Sequence, residues 1–247
     1  MKNILIINKK GSHISIILSM VLFVTFLVFL FTLLGSNLEV QKNKNLAIES
    51  LNVELENLFS SNFTTMSILI SDSFVYDALT YPNSCISIPH LAGFEEFNST
   101  IKDEDNTIID SFSENASINI SWSTETDFLK IYYSNESLIA HELANLDCQP
   151  LGEGDFLIKS INHGQKIYEN KINYYISIYD EYYKEFKSSL QIPFETEFSF
   201  NFTNNNQEEV GPVINLLNQE VYVKDFTIEY IDEEANINPG TLSIIVW

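Results

Sequence analysis

Residues Ser12 to Leu34 read SHISIILSMVLFVTFLVFLFTLL, and from Ile14 onward this stretch holds no charge and is almost wholly Ile, Leu, Val and Phe. Those 21 residues make a helix of roughly 31 Å, about the thickness of a bilayer's hydrocarbon core. Backbone amides survive in lipid only when satisfied within their own segment, so in a membrane this stretch is a helix. A core helix of a soluble domain would show an amphipathic stripe, and none is present. The reading predicts a transmembrane helix over residues 12–34, with everything after it as cargo.

Charge sets the expected orientation. Lys2, Lys9 and Lys10 precede the apolar run, while the first thirty residues beyond it hold only Lys42 and Lys44. The positive-inside rule then keeps residues 1–11 in the cytoplasm and sends the bulk of the chain outside. A cleaved secretory signal is the competing reading. Its apolar core would be about 7 to 15 residues long, with small residues at the cut, whereas here Leu33-Leu34 precede Gly35-Ser36.

The whole chain of 247 residues carries 34 acids against 13 bases, a net of −21, and every base is a lysine. Beyond the anchor ten lysines face all 34 acids, a net of −24. Such a surface repels phosphates and anionic headgroups, which argues against nucleic acid as a partner. Hydrophobic residues make up 45% of the chain, too many for a disordered tail. Two cysteines, Cys85 and Cys148, lie outside and show no metal-ligand spacing. In an oxidising compartment they are expected to bridge, closing 64 residues and stabilising the fold by about 4 kcal/mol.

The leader ends in Asn8-Lys9-Lys10-Gly11, and the apolar run follows directly. A short basic leader, a glycine and then an uninterrupted hydrophobic helix resembles the class III signal of archaeal type IV pilin-like proteins. In that family a prepilin-type peptidase cuts ahead of the hydrophobic stretch, which stays as the filament's core helix. The resemblance covers about the first 35 to 60 residues and implies a cut between Gly11 and Ser12. It also implies like subunits as partners through the N-terminal helix. Bacterial pilins carry a glutamate five residues into the mature chain; here that position is Ile16, and archaeal members often lack the glutamate.

After Gly35-Ser36-Asn37, Ile48, Leu51, Leu55 and Leu58 recur at helical spacing, predicting an amphipathic helix that fills residues 35–60. Residues 61–247 are expected to form an extracytoplasmic α+β domain, mostly antiparallel, with one further long helix. Phe63 to Ile70 reads as a strand, and residues 71–115 as a long loop-rich excursion. Ser117 to Ser123 and Phe128 to Tyr133 are expected to pair as a hairpin. A second hairpin is expected from Phe156 to Ile161 and Lys166 to Glu169, turning at Asn162-His163-Gly164-Gln165. Tyr168, Ile172, Tyr175, Tyr179, Tyr182, Phe186 and Leu190 step by threes and fours, predicting a helix that ends before Pro193. Strands are predicted over Glu195–Phe202, Glu220–Lys224, Phe226–Tyr230 and Thr241–Trp247, with Asn238-Pro239-Gly240 as the last turn.

Chemistry is sparse. His141-Glu142-Leu143-Ala144-Asn145 lacks the second histidine of a zinc-protease motif. No nucleophile elbow, P-loop or dinucleotide fingerprint occurs, and no cofactor or metal is expected. The acidic cluster Asp225, Glu229, Asp232, Glu233, Glu234, Asn236 and Asn238 lacks EF-hand spacing and reads as a solvated loop, with calcium as the alternative. Six sequons, at Asn62, Asn98, Asn115, Asn119, Asn135 and Asn201, are candidate glycan acceptors in an exported chain. The function expected is a non-enzymatic, membrane-anchored cell-surface protein, a pilin-like filament subunit. A monomeric anchored binding domain, adhesin or accessory subunit, is the alternative. An extracytoplasmic enzyme using carboxylates from distant segments comes third.

Overall fold

The computed structural model describes residues 10–81, 84–90, 92–94, 97–113, 117–123, 127–139, 147–190, 192, 196–212 and 220–247. The chain divides into two units, Met1–Glu49 and Ser50–Trp247. Helix α1 (Lys10–Phe59) is continuous over 50 residues and passes Gly35-Ser36-Asn37 without a break. In the first unit its apolar side chains from Ile16 to Phe31 are exposed, save Leu27 and Leu30, which are half-exposed. In the second unit Leu51 and Leu55 are buried, as the spacing predicts. Leu58 is only half-buried, and Phe59 takes the core place beside them.

The second unit is α+β and mostly antiparallel. After α1 come β1 (Ser60–Ile70), β2 (Cys85–Pro89), β3 (Asn98–Lys102), β4 (Ser111–Ser113), β5 (Ser117–Ser121), β6 (Phe128–Ser134), β7 (Gln149–Pro150) and β8 (Phe156–Tyr168). Helix α2 (Glu169–Ser189) follows, then β9 (Phe198–Thr203), β10 (Glu209–Val210), β11 (Tyr222–Ile231) and β12 (Ile237–Val246). Eight strands form one sheet in the order β10-β9-β12-β11-β8-β1-β6-β3; β4-β5-β2-β7 form a second. Parallel pairing occurs only between β11 and β8 and between β2 and β7 among these strands.

Two cores of different composition result. Alternate residues of β1, β3 and β6 (Met66, Ile68, Ile70, Ile101, Leu129, Ile131, Tyr133) meet Ile86, Ile88, Ile118 and Ile120 of the small sheet. Burial alternates along β1 and β6, and the two sheets pack as layers over a core made mostly of isoleucine. Elsewhere α2 lays Ile172, Tyr179 and Phe186 inward. Phe186 and Tyr179 meet Phe198 and Phe200 of β9, and Phe59 meets Phe200. Each such ring pair adds about 0.5–1.5 kcal/mol beyond area burial. Tyr182 leaves the predicted stripe because its backbone is non-helical (φ −133°, ψ 44°), and the resulting kink exposes its ring.

Several expected pairings differ. Ser117–Ser123 and Phe128–Tyr133 do supply strands, but not a hairpin: β5 belongs to the small sheet and β6 to the large one. Residues 124–126, the expected place of the hairpin's turn, lie outside the described set. The excursion 71–115 contains three strands, β2, β3 and β4. Asn162-His163-Gly164-Gln165 is no turn; β8 runs straight through it for 13 residues, because β1 pairs with it along that whole length. Tyr222 to Ile231 is likewise one strand rather than two.

Asn238-Pro239-Gly240 lies inside β12, and the turn sits earlier, at Asp232–Asn236. Proline is accommodated there because β9 pairs with β12 only from Thr241 onward, leaving the Pro239 position free on that side. Gly240 serves close approach rather than turning: a Cβ there would lie 2.8 Å from the Phe202 ring and 3.1 Å from Tyr230. The final residues pair as expected, Trp247 N donating to Glu197 O and Glu197 N to Trp247 O.

Candidate functional site

The apolar segment of α1 is the feature with the clearest chemistry. Ser15–Thr32 is long and apolar enough to cross a membrane, and none of it is buried within the molecule. Three of its hydroxyls bond back along the helix itself: Ser19 donates to Ile16 O, Thr25 to Leu22 O and Thr32 to Phe29 O, at 2.8–3.0 Å. The helical backbone and these three hydroxyls are thus paired without water, as a hydrocarbon environment demands. A helix of this kind serves as a membrane anchor or as a signal sequence. Gly11 and Ser12 both fall within α1.

Cys85 and Cys148 meet at disulfide distance, their sulfurs 2.06 Å apart across 63 positions of sequence. Cys85 opens β2 and Cys148 directly precedes β7, so the bridge ties the ends of that parallel pair. Loop 71–81 is pinned beside it: the Tyr76 hydroxyl accepts from Cys85 N, and Gln149 Oε1 accepts from Asp77 N. Val75 and Leu79 are left facing solvent on that loop.

The acidic cluster is only partly brought together. Asp225 lies on β11 against Ser243, and Glu229 pairs with Lys166 at 3.0 Å. Asp232 closes its own turn: Oδ1 accepts from Glu234 N and Asn236 N, and Oδ2 from the Asn236 and Asn238 amides. Lys102, fully buried on β3, donates to Asn236 Oδ1 at 2.6 Å and lies over the Tyr132 ring. Burial pulls the Lys102 ammonium below its ordinary value, while Asp232 and Glu234 oppose that drop.

The structure adds members that periodicity did not show. Glu169, Asn170 and Asn173 of α2, with Ile139, join Asp232, Glu233 and Glu234 around a cavity of about 370 Å³. Burial pushes the Glu169 carboxyl above its usual value, and the nearby carboxylates of Asp232, Glu233 and Glu208 push the same way. No group of three or more His, Cys, Asp and Glu is arranged to hold a metal ion among the described residues. A second cavity, about 440 Å³, is lined by Asn62, Thr64, Phe94, Phe97 and His163. There the Phe94 ring stacks on His163, whose Nδ1 lies 2.9 Å from Thr64 Oγ1. The expected turn at His163 hid this grouping.

His141 to Asn145 and the Asn115 sequon lie outside the described residues. Asn62, Asn98 and Asn135 are exposed. Asn201 is half-buried and donates to Glu209 at 2.6 Å, and Asn119 is buried in β5 between β2 and β4. Comparison with protein-family models, with curated proteins and with solved structures finds no match to this chain.

Proposed function

We propose that this protein is a membrane-anchored cell-surface protein of pilin-like type, with α1 as its anchor before assembly and as filament core afterwards. The observation that carries the reading is the run Ser15–Thr32, apolar, unburied and internally satisfied, preceded by Lys9-Lys10-Gly11. Supporting it, α1 continues to Phe59 and leads directly into β1 of a sheet-rich body that holds a cysteine pair at disulfide distance. A cysteine bridge suits an oxidising exterior. The net charge of −21 suits a solvated surface. In this reading the role is structural, the bilayer and like subunits are the partners, and a prepilin-type peptidase releases residues 1–11.

Electron microscopy of filaments sheared from the native cells, labelled with an antibody raised against residues 196–212, tests it. Labelled filaments are the expected result. An antigen confined to the soluble cytoplasmic fraction overturns the anchor. An antigen held in membranes of cells whose filaments stay unlabelled overturns the subunit role.

A further inference from the structure

The eight-stranded sheet is split almost in two between β11 and β8. These parallel strands pair only at Tyr230 with Ile167 and Ile231 with Tyr168. The Lys166–Glu229 ion pair spans the gap just before that junction. From Gln165 back to Leu157 in β8, and from Glu229 back to Tyr222 in β11, neither strand has a partner on its facing edge among the described residues; Phe156, at the start of β8, bridges to Glu153. β8 is exposed at every residue from Leu157 to Gln165, with Leu157 at 55% and Ile158 at 41%. β11 is exposed or half-exposed from Tyr222 to Thr227, with Val223 at 59%.

Open strand edges carry unpaired N–H and C=O groups and are templates for another strand. Proteins usually blunt them with proline, bulges or charge. β8 has no proline; its one irregularity falls at Lys159, where the register against β1 shifts, and Ser160–Lys166 is left as an unbroken edge. We propose that the β8 edge pairs with the β11 edge of a second copy of this chain, joining copies head to tail.

The charge pattern selects that occupant. In a chain of net −21, an acidic edge of a second copy is drawn to the stretches that carry base without acid, and Phe156–Tyr168 carries Lys159 and Lys166 with no acid. The β11 edge, with the residues leading into it, offers Glu220 and Asp225 against a single Lys224. Pairing β8 with another β8 would bring lysines together with no acid to meet them, which is unfavourable across strands. Joining two different edges gives a heterologous contact, which propagates rather than closing on itself unless its rotation makes a ring. The contact deepens the filament reading and takes from it only the expectation that copies meet.

The test uses the full chain in detergent micelles, so it is read whether or not filaments ever form. p-Benzoylphenylalanine replaces Val223, and irradiated material is digested and sequenced by mass spectrometry. A dimer-sized adduct joining residue 223 to a peptide within Phe156–Lys166 is expected. Its yield should fall at least tenfold in Lys159→Glu/Asn162→Glu, two substitutions at exposed positions whose folding is checked by circular dichroism. Adducts of monomer size only, adducts mapping elsewhere, or a yield unchanged by the double substitution in folded protein overturn the proposal. Unlabelled native filaments with this adduct present would remove the filament role and leave the edge contact standing.

Discussion

The two cores of the body are built from different materials. Where α2 backs β9, rings gather: Phe59, Tyr179, Phe186, Phe198 and Phe200 meet in tilted and edge-on pairs. Where the small sheet faces β1, β3 and β6, isoleucine dominates the interior, aromatics such as Phe74 and Trp122 pack around its rim, and a disulfide closes it. The aromatic core gathers large rings on α2, β9 and the end of α1, so that Phe200 alone meets three other rings. The aliphatic core draws one or two isoleucines from each of many short strands and adds a covalent tie. The first kind is fragile to single truncations, and the second is fragile to loss of its tie.

That contrast is open to direct attack. Phe200→Ala removes the ring that Phe59, Tyr179 and Phe186 all touch, and it should cost about 3–5 kcal/mol. Urea unfolding in micelles measures it; a loss below about 1 kcal/mol would mean that the aromatic core does not hinge on that ring. Replacing both cysteines, Cys85→Ser/Cys148→Ser, should cost about 2–4 kcal/mol. Amide exchange should then quicken in β2, β5 and β7 while β9 and β12 stay protected. Equal quickening in both halves would show that the two cores unfold as one.

Gly240→Ala sharpens the comparison at a smaller scale. Its Cβ would press on the Phe202 and Tyr230 rings and lie 3.1 Å from Thr203 O, so overpacking of about 1–3 kcal/mol is expected, confined to β9–β12. A melting temperature unchanged by this substitution would mean that the strand has room to yield.

Alkaline pH tests the tyrosines. Burial pushes Tyr179, in the aromatic core, and Tyr168, beside Phe63 and Ile231, up to about 12. Since an unfolded tyrosine titrates near 10, the stability tied to these groups is whole below about pH 10 and is lost as pH rises toward 12. Tyrosinate absorbance recorded alongside unfolding should show both tyrosines ionising late, together with loss of structure. Their ionisation near pH 10 in folded protein would contradict their burial. Acid acts the other way on Glu197. Burial alone would raise its carboxyl, but hydrogen bonds from Lys187 and Tyr183 hold it below its usual value, so its contribution is present above the unfolded carboxylate range and fades as pH falls.

The same contrast explains what could be read from the residues. The α2 stripe was legible because one continuous segment carries it, and Glu169–Ser189 matches the periodicity to within a residue at each end. Only the kink at Tyr182 was invisible, since nothing in its neighbours marks it. The aliphatic core was not legible as a unit: β5 and β6 are neighbours in sequence but lie in different sheets, so local alternation suggested a hairpin that the packing overrides. Glycine misled twice for one reason. At Gly164 and Gly240 it sits inside long strands, and only the tertiary neighbours of Gly240 show why a side chain is unwelcome there. The acidic cavity was half-seen because Glu169 and Asn173 reach it from a helix distant in sequence.

The proposed role requires α1 to be a processed membrane anchor. The most direct measurement is the mass of the mature N-terminal peptide from protein isolated from native membranes. A chain beginning at Ser12, with Ile14 to Leu34 retained, is predicted. An N-terminus still carrying Met1 to Gly11 would contradict the pilin-like reading, and one beginning beyond Leu34 would contradict the anchor itself.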